Sequence, residues 1–170
     1  MKKGTMSLAD CCADHLSAGI IRLCNFAFAV VESGRCRLGR TPVRNITTND
    51  LVHWLESDER SPVLVDVRSD AELAISRISG AITRKQFESA PRSYSGRPVV
   101  AYCTVGGRSY LFAAKLVDSG VDAVNYRDSI LGWCDAGLPL VKADGRPTTD
   151  VHPYWRLFKV PDSYQVRMSS

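Results

Sequence analysis

The sequence predicts an α/β domain built on a parallel sheet, and three observations carry that prediction. Short continuous apolar runs, Val63–Val67 and Val99–Tyr102 foremost, lack the alternation of a strand exposed on one face. Segments with helical spacing of apolar residues alternate with these runs, the clearest being Ser109–Ser119, closed by Gly120. Glycine, proline and short polar residues punctuate the boundaries between the two kinds of segment.

In chain order, Leu16, Ile20, Leu23 and Ala27 recur at helical spacing and predict a helix over residues 8–32 ending near Gly34. Arg35, Arg37, Arg40 and Arg44 follow in a stretch free of acidic residues and read as a solvated linker. Asn45-Ile46 is a short extended piece, and Thr47-Thr48-Asn49 can cap a helix over Asp50–Ser57. Ser61-Pro62 breaks the chain before the Val63–Val67 strand. Ser69-Asp70 can then cap a short helix through Ile75. Gly80–Ile82 reads as a strand, Gln86–Ser89 as one or two helical turns, and Pro91–Pro98 as a polar loop. After the 109–119 helix come a strand over Val121–Asn125 and a last helix from Asp128-Ser129 to Ala136, stopped by Gly137 and Pro139. The organisation is therefore residues 1–44 as N-terminal helix and arginine-rich linker, 45–142 as the α/β domain, and 143–170 as an aromatic tail.

Composition narrows the function. At 170 residues, with 45% hydrophobic and 24% charged residues, the chain supports one globular domain plus extensions. The net charge of +4 comes from the four clustered arginines, and the rest of the chain is balanced. That cluster has no interleaved aromatics, which argues against nucleic acid as a partner. No uninterrupted apolar run approaches the roughly 20 residues of a membrane span. Six cysteines without a C-x-x-C pair argue against a zinc site or a disulfide scaffold and for free thiols in a reducing cytoplasm. The adjacent Cys11 and Cys12 near His15 do not make a metal corner, since neighbours on a helix diverge.

The chemistry concentrates where the 99–102 strand stops. Cys103 begins the loop Cys103-Thr-Val-Gly-Gly-Arg108, which runs straight into a helix. In parallel α/β sheets, ligands bind outside the carboxyl ends of the strands. Gly106 and Gly107 permit a tight turn with inward N–H groups, and the helix start adds its positive end. Such a cradle favours a thiolate. An ordinary cysteine, with a pKa of ~8.5, is about 3% ionised at pH 7; a shift of about two units, worth ~2.7 kcal/mol, raises that to about three quarters. Arg108 can support the loop or face a substrate anion.

Three pieces of the sequence, Val65-Asp-Val-Arg68, Cys103-Thr-Val-Gly-Gly-Arg-Ser109 and Gly132-Trp-Cys-Asp-Ala-Gly-Leu-Pro139, resemble the single-domain rhodaneses, from about Ile46 to Val141. The resemblance implies a five-stranded parallel sheet flanked by helices on both faces, here with an N-terminal helical extension. It implies a sulfurtransferase in which Cys103 carries a persulfide between a donor and a thiophilic acceptor. Thr104, Val105, Gly106, Gly107, Arg108 and Ser109 would cradle that persulfide. Arg68 would steer an anionic donor, or else form a structural salt link, with Glu72 as a candidate partner. No metal or organic cofactor is implied. The expected partner is thiosulfate, a low-molecular-weight persulfide or a sulfur-carrying protein. Two departures from the family pattern matter: Ser76-Arg-Ile-Ser-Gly-Ala81 replaces its usual Gly-His-Ile-Pro-Gly-Ala, and the loop interior is uncharged, which points to weak use of thiosulfate.

A phosphatase or arsenate reductase would need five residues between cysteine and arginine, and only four stand here. A non-catalytic binding module is the alternative from another class, although such modules usually lack the cysteine. Cys134, beside Trp133, reads as core, with a resolving thiol as the sharper alternative. The tail Val151–Phe158 reads as packing on the domain or a partner, or as a lid near the loop; nothing in the sequence places its His152 in the chemistry. The N-terminal helix and the tail also offer surfaces for a homodimer.

Overall fold

The computed structural model describes residues 28–57 and 60–168. Cys11, Cys12, His15, Cys24 and residues 8–27 of the expected N-terminal helix lie outside the described residues. Helix α1 is described over residues 28–37. It continues through Gly34, which faces open space, and ends at Gly39, whose φ of +70° takes the chain out of the helix. A glycine inside a helix costs only ~1 kcal/mol, so Gly34 does not stop one that is anchored by packing.

The central sheet contains β1 (Arg44–Ile46), β2 (Val63–Asp66), β4 (Ile82–Thr83), β5 (Val99–Tyr102) and β6 (Ala123–Tyr126). Its order is β1-β6-β5-β2-β4, with every neighbouring pair parallel. Strand β5 sits in the middle, so its carboxyl end is the sheet's centre. Helices α2 (Thr48–Glu56), α3 (Asp70–Ile75), α4 (Arg84–Ser89), α5 (Gly107–Asp118) and α6 (Ser129–Asp135) connect the strands.

The two faces of the sheet bury separate apolar clusters, and β5 shows why its run must be unbroken. Val100 and Tyr102 pack with Leu51 of α2 and with Ile130, Trp133 and Cys134 of α6. Val99, Ala101 and Cys103 pack on the other face with Phe87 of α4 and with Tyr110, Ala113 and Ala114 of α5. A strand covered on both faces has no solvent side to carry polar residues.

Several boundaries differ from expectation. The Gly80–Ile82 strand is displaced to Ile82–Thr83, because Gly80 adopts φ +75° in a turn closed by the Ala81 N–H on the Ile78 carbonyl. Ahead of that turn, β3 (Arg77–Ile78) pairs antiparallel with β7 (Leu140–Val141), which pairs with β8 (Pro147–Thr148). The polar loop contains a 3-10 turn at Pro91–Tyr94. Downstream, β9 (Asp150–Val151) pairs in parallel with β10 (Gln165–Val166), and the tail packs on the domain through Val151, Phe158 and the Tyr164 hydroxyl, which donates to the Leu138 carbonyl at 2.6 Å. Among the described residues no helix is long and apolar enough to cross a membrane.

Arg37, Arg40 and Arg44 of the arginine run are exposed, and three members of the run also make contacts. Arg35 and Arg40 both bond the Asp118 carboxylate at the end of α5, and the Arg44 guanidinium lies over the Trp54 ring at 5.5 Å. At the first described residue of α1, Phe28 lies beside Gly107, its ring centroid 5.1 Å from that of Tyr110 with the planes tilted by 42°. The described part of helix α1 therefore runs alongside α5 in the same direction, with Phe28 at the start of α5.

Candidate active site

Cys103 follows the last residue of β5 and is 1% exposed. What surrounds its sulfur is set by where the loop's carbonyls go. The Cys103 and Thr104 carbonyls accept the N–H groups of Ile130 and Leu131, at 3.1 and 3.3 Å, from the first turn of α6. Each carbonyl is rigidly antiparallel to the next N–H of its peptide plane. The N–H groups of Thr104 and Val105 consequently turn away from α6, and that of Val105 reaches the sulfur.

Gly106 is the tightest point. Its φ is +87°, and a Cβ there would fall 2.2 Å from the Arg127 carbonyl oxygen. Both conformation and space demand glycine. The loop then enters α5, and Ser109 in the first turn directs its N–H and its hydroxyl to the sulfur, the Oγ lying 3.6 Å from Sγ. Burial of Cys103 pushes its thiol pKa up. The Ser109 N–H and hydroxyl, the Arg108 cation and the Val105 N–H outweigh that, and the net displacement is downward. Val105, Arg108 and Ser109 each act on this sulfur in the direction of the ionised form.

Ser129 holds the loop from below. Its Oγ accepts the Cys103 N–H at 3.1 Å and donates to the Tyr126 carbonyl at 2.9 Å. It does so from a left-handed backbone, φ +55°, which costs a non-glycine residue about 1–2 kcal/mol. Sequence reading took Ser129 only as the start of a helix, and the sequence offers no signal of the unusual backbone.

Glu72 is the second residue that sequence reading misplaced. It is 1% exposed and accepts from five donors: the Ser69 N–H and hydroxyl, the Thr104 hydroxyl and two nitrogens of Arg108, all between 2.7 and 3.0 Å. Burial opposes its charge, yet the Arg108 cation and the Thr104 and Ser69 donors hold its carboxyl down at about 2. The Ser69-x-x-Glu72 spacing of a capping box is legible in the sequence; the reach to Arg108 is not. Of the two readings of Arg68, the structure has the salt link, with Asp66 as its partner rather than Glu72. Its guanidinium is fully buried, bonded by Nε and Nη2 to that carboxylate and by Nη2 to the Ser76 carbonyl. The structure therefore groups Thr104–Ser109 around Cys103 and places Arg68 in an internal ion pair.

Both terminal extensions reach the loop. The Phe28 ring covers Gly107, and the Tyr154 ring lies 4.7 Å from the Arg108 guanidinium. Tyr154 is held with φ +71° while its N–H donates to His152 Nδ1 at 3.1 Å, so the buried His152 shapes the tail. Packing on the domain and approach to the loop, set apart in the sequence reading, are one arrangement. Cys134 is fully buried in the cluster on the opposite face of the sheet from Cys103, and burial pushes its thiol up to about 12. That environment suits a core thiol and not a resolving one.

Residues 47–136 match the model of the rhodanese-like domain family. A sulfurtransferase of Allochromatium vinosum is 34% identical over 96 residues, covering 52% of this chain and 87% of the relative. Among solved structures, a rhodanese-related protein of Thermoplasma volcanium superposes with a TM-score of 0.50 at 23% identity, covering 58% of this chain and 97% of that one. A thiosulfate sulfurtransferase of Pseudomonas aeruginosa gives a TM-score of 0.52 at 22% identity over 63% of this chain, which spans only 21% of that protein. At these identities the two structures speak for the fold.

Proposed function

The chain belongs to the rhodanese-like domain family, and from that membership and the loop geometry we propose that it is a sulfurtransferase working through a persulfide on Cys103. The observation that carries the proposal is the convergence of the Val105 and Ser109 N–H groups and the Ser109 hydroxyl on one buried sulfur at the end of the central strand, with the Arg108 cation acting on it from its pairing with Glu72. In the first half-reaction the Cys103 thiolate attacks the sulfane sulfur of a donor. A sulfur–sulfur bond forms, the donor's own breaks, and the donor leaves as a thiolate, or as sulfite when it is thiosulfate. In the second, an acceptor nucleophile attacks the outer sulfur and Cys103 departs as the thiolate the cradle stabilises. The same N–H groups serve the anion in both halves, without a general base.

The charge arrangement favours a persulfide donor over thiosulfate. Arg108 is bidentate to Glu72, and Arg68 is neutralised by Asp66, so neither arginine offers an uncompensated cation to a dianion. The test is transfer from thiosulfate and, separately, glutathione persulfide to cyanide, read as thiocyanate, with intact-protein mass spectrometry and Cys103→Ser as control. We expect one added sulfur on Cys103, turnover abolished in the serine variant, and higher kcat/KM with the persulfide. Reduced, folded protein that acquires no sulfur from either donor would overturn the proposal and leave a binding module.

A further inference from the structure

The segment between β9 and β10 lies outside the family-matched span and carries its aromatic residues in two different ways. Val151 and Phe158 are buried and pin the segment to the domain at either end. Between them Tyr154, Trp155, Arg156 and Leu157 are all exposed, with the Trp155 ring stacked on Phe158 at 5.8 Å. The Trp155 N–H donates to the Pro153 carbonyl and the Phe158 N–H to the Trp155 carbonyl, which folds the stretch into tight turns.

Tyr154 is the strained member of this stretch. Its φ of +71° lies in the left-handed region, which a residue with a side chain keeps only where its surroundings fix it. The buried His152 supplies the fixing, since its Nδ1 accepts the Tyr154 N–H at 3.1 Å. Burial does not account for the posture, because Tyr154 is 43% exposed. A ring held for packing alone would be covered. What the posture achieves is a contact with one cation: the ring centroid lies 4.7 Å from Cζ of Arg108.

That cation needs holding from a second side. Arg108 donates through Nη1 and Nη2 to the two Glu72 oxygens at 2.7 Å, and through Nη2 to Thr104 Oγ1 at 2.8 Å. These bonds take the edge of the guanidinium and leave its faces to other partners. The side chain is partly exposed, so water competes for it. An aromatic ring against one face attracts the cation through its quadrupole and displaces that water. Resting on the sulfur-transfer reading above, we propose that Tyr154 is a positioning residue of the active site, its ring holding the Arg108 guanidinium on Glu72 and so keeping the cation beside the Cys103 sulfur. It acts through Arg108 and takes no part in bond making or breaking. The tail is then a working part of the site, supplied from beyond the family-matched span.

The experiment is a double-mutant cycle read on Cys103 itself, as the midpoint of its pH profile for iodoacetamide alkylation followed by peptide mapping. A cation–π contact at a partly exposed site is worth about two- to fivefold in an equilibrium, so Tyr154→Ala should raise the midpoint by about 0.3–0.7 in pH. Tyr154→Phe keeps the ring and should leave the midpoint at the wild-type value. Arg108→Ala should raise it at least as far as Tyr154→Ala, and adding Tyr154→Ala to Arg108→Ala should move it no further. Tyr154→Gly also removes the ring but accepts the left-handed backbone without strain. It should match Tyr154→Ala in midpoint while unfolding at no lower urea concentration, and it carries the test if the alanine variant does not fold. A midpoint unmoved by loss of the ring, a Phe variant that behaves as Ala, or shifts that add in the double variant each overturn the proposal. Sulfur transfer from glutathione persulfide to cyanide, measured on the same proteins, tests the activity separately. If cyanide receives nothing while the midpoints follow the expected pattern, the activity reading fails and the positioning of Arg108 by Tyr154 stands.

Discussion

Two buried thiols in one small core differ in what their neighbours offer a negative charge. Around Cys103 the Ser109 hydroxyl, two N–H groups and the Arg108 cation outweigh burial. Around Cys134 burial is joined by the Asp135 carboxylate, and both push the thiol up to about 12. The ionised form is the one that reacts, so the two should separate cleanly in alkylation. Peptide mapping after iodoacetamide treatment of native protein across pH 5–9 should show Cys103 modified with a midpoint below the ordinary ~8.5, and Cys134 unmodified. Arg108→Ala should move the Cys103 midpoint upward, since it removes a cation while leaving the loop's N–H groups in place. A Cys103 midpoint at or above that of a free thiol would remove the electrostatic basis of the proposed chemistry.

At the scale of elements, the site is a junction that three segments hold in one conformation. The end of β5 delivers the sulfur, the first turn of α5 supplies donors, and the first turn of α6 takes the loop's outward carbonyls. Gly106 is where these demands meet. Gly106→Ala would place a side chain at φ +87° and 2.2 Å from backbone of the neighbouring loop. The conformational part costs about 1–2 kcal/mol and the clash adds to it, because Arg127 backbone cannot swing away as a flexible side chain would. We expect a loss of about 3 kcal/mol in urea unfolding, with sulfur transfer falling further than stability accounts for; near wild-type values for both would mean that the loop is not so constrained. Much of this junction was legible in the sequence, because an apolar run that stops at a cysteine, two glycines and a helix start are all local signals. Strands β2, β5 and β6 and the caps at Thr47 and Ser69 were legible for the same reason. Long-range pairings were not. Glu72 with Arg108 and Ser129 beneath Cys103 depend on which side chains the sheet order brings together, while Arg68 with Asp66 is a local pair whose choice over Glu72 no spacing rule signals. The β3–β7–β8 sheet was hidden similarly, since two-residue strands carry no periodicity of their own.

Across the whole molecule, both extensions converge on the loop, and one carboxylate fastens much of what they surround. Helix α1 is tied along α5 by Phe28 at one end and by Arg35 and Asp118 at the other, while the tail brings Tyr154 over Arg108. Glu72 links α3 to Thr104 and Arg108 beneath that cover. Its carboxyl sits at about 2 in the folded protein, well below the ordinary ~4.3 of an unfolded chain. The folded state therefore binds this proton more weakly than the unfolded state does. The stabilisation is fully present above pH ~4.3 and is lost as pH falls through that value towards 2. A displacement of somewhat over two units corresponds to ~3 kcal/mol at neutral pH. Glu72→Gln keeps the shape but not the charge. It should cost about 2–3 kcal/mol at pH 7, less than the 3–5 of a fully buried pair because the Arg108 side chain is 35% exposed. Stability measured by urea unfolding should then fall less steeply between pH 5 and 3 in Glu72→Gln than in the wild type, the two curves converging at the acid end. Parallel curves over that range would show that the acid sensitivity lies elsewhere, in the exposed carboxylates such as Asp118, and that the Glu72 junction closes the loop without governing the stability of the fold.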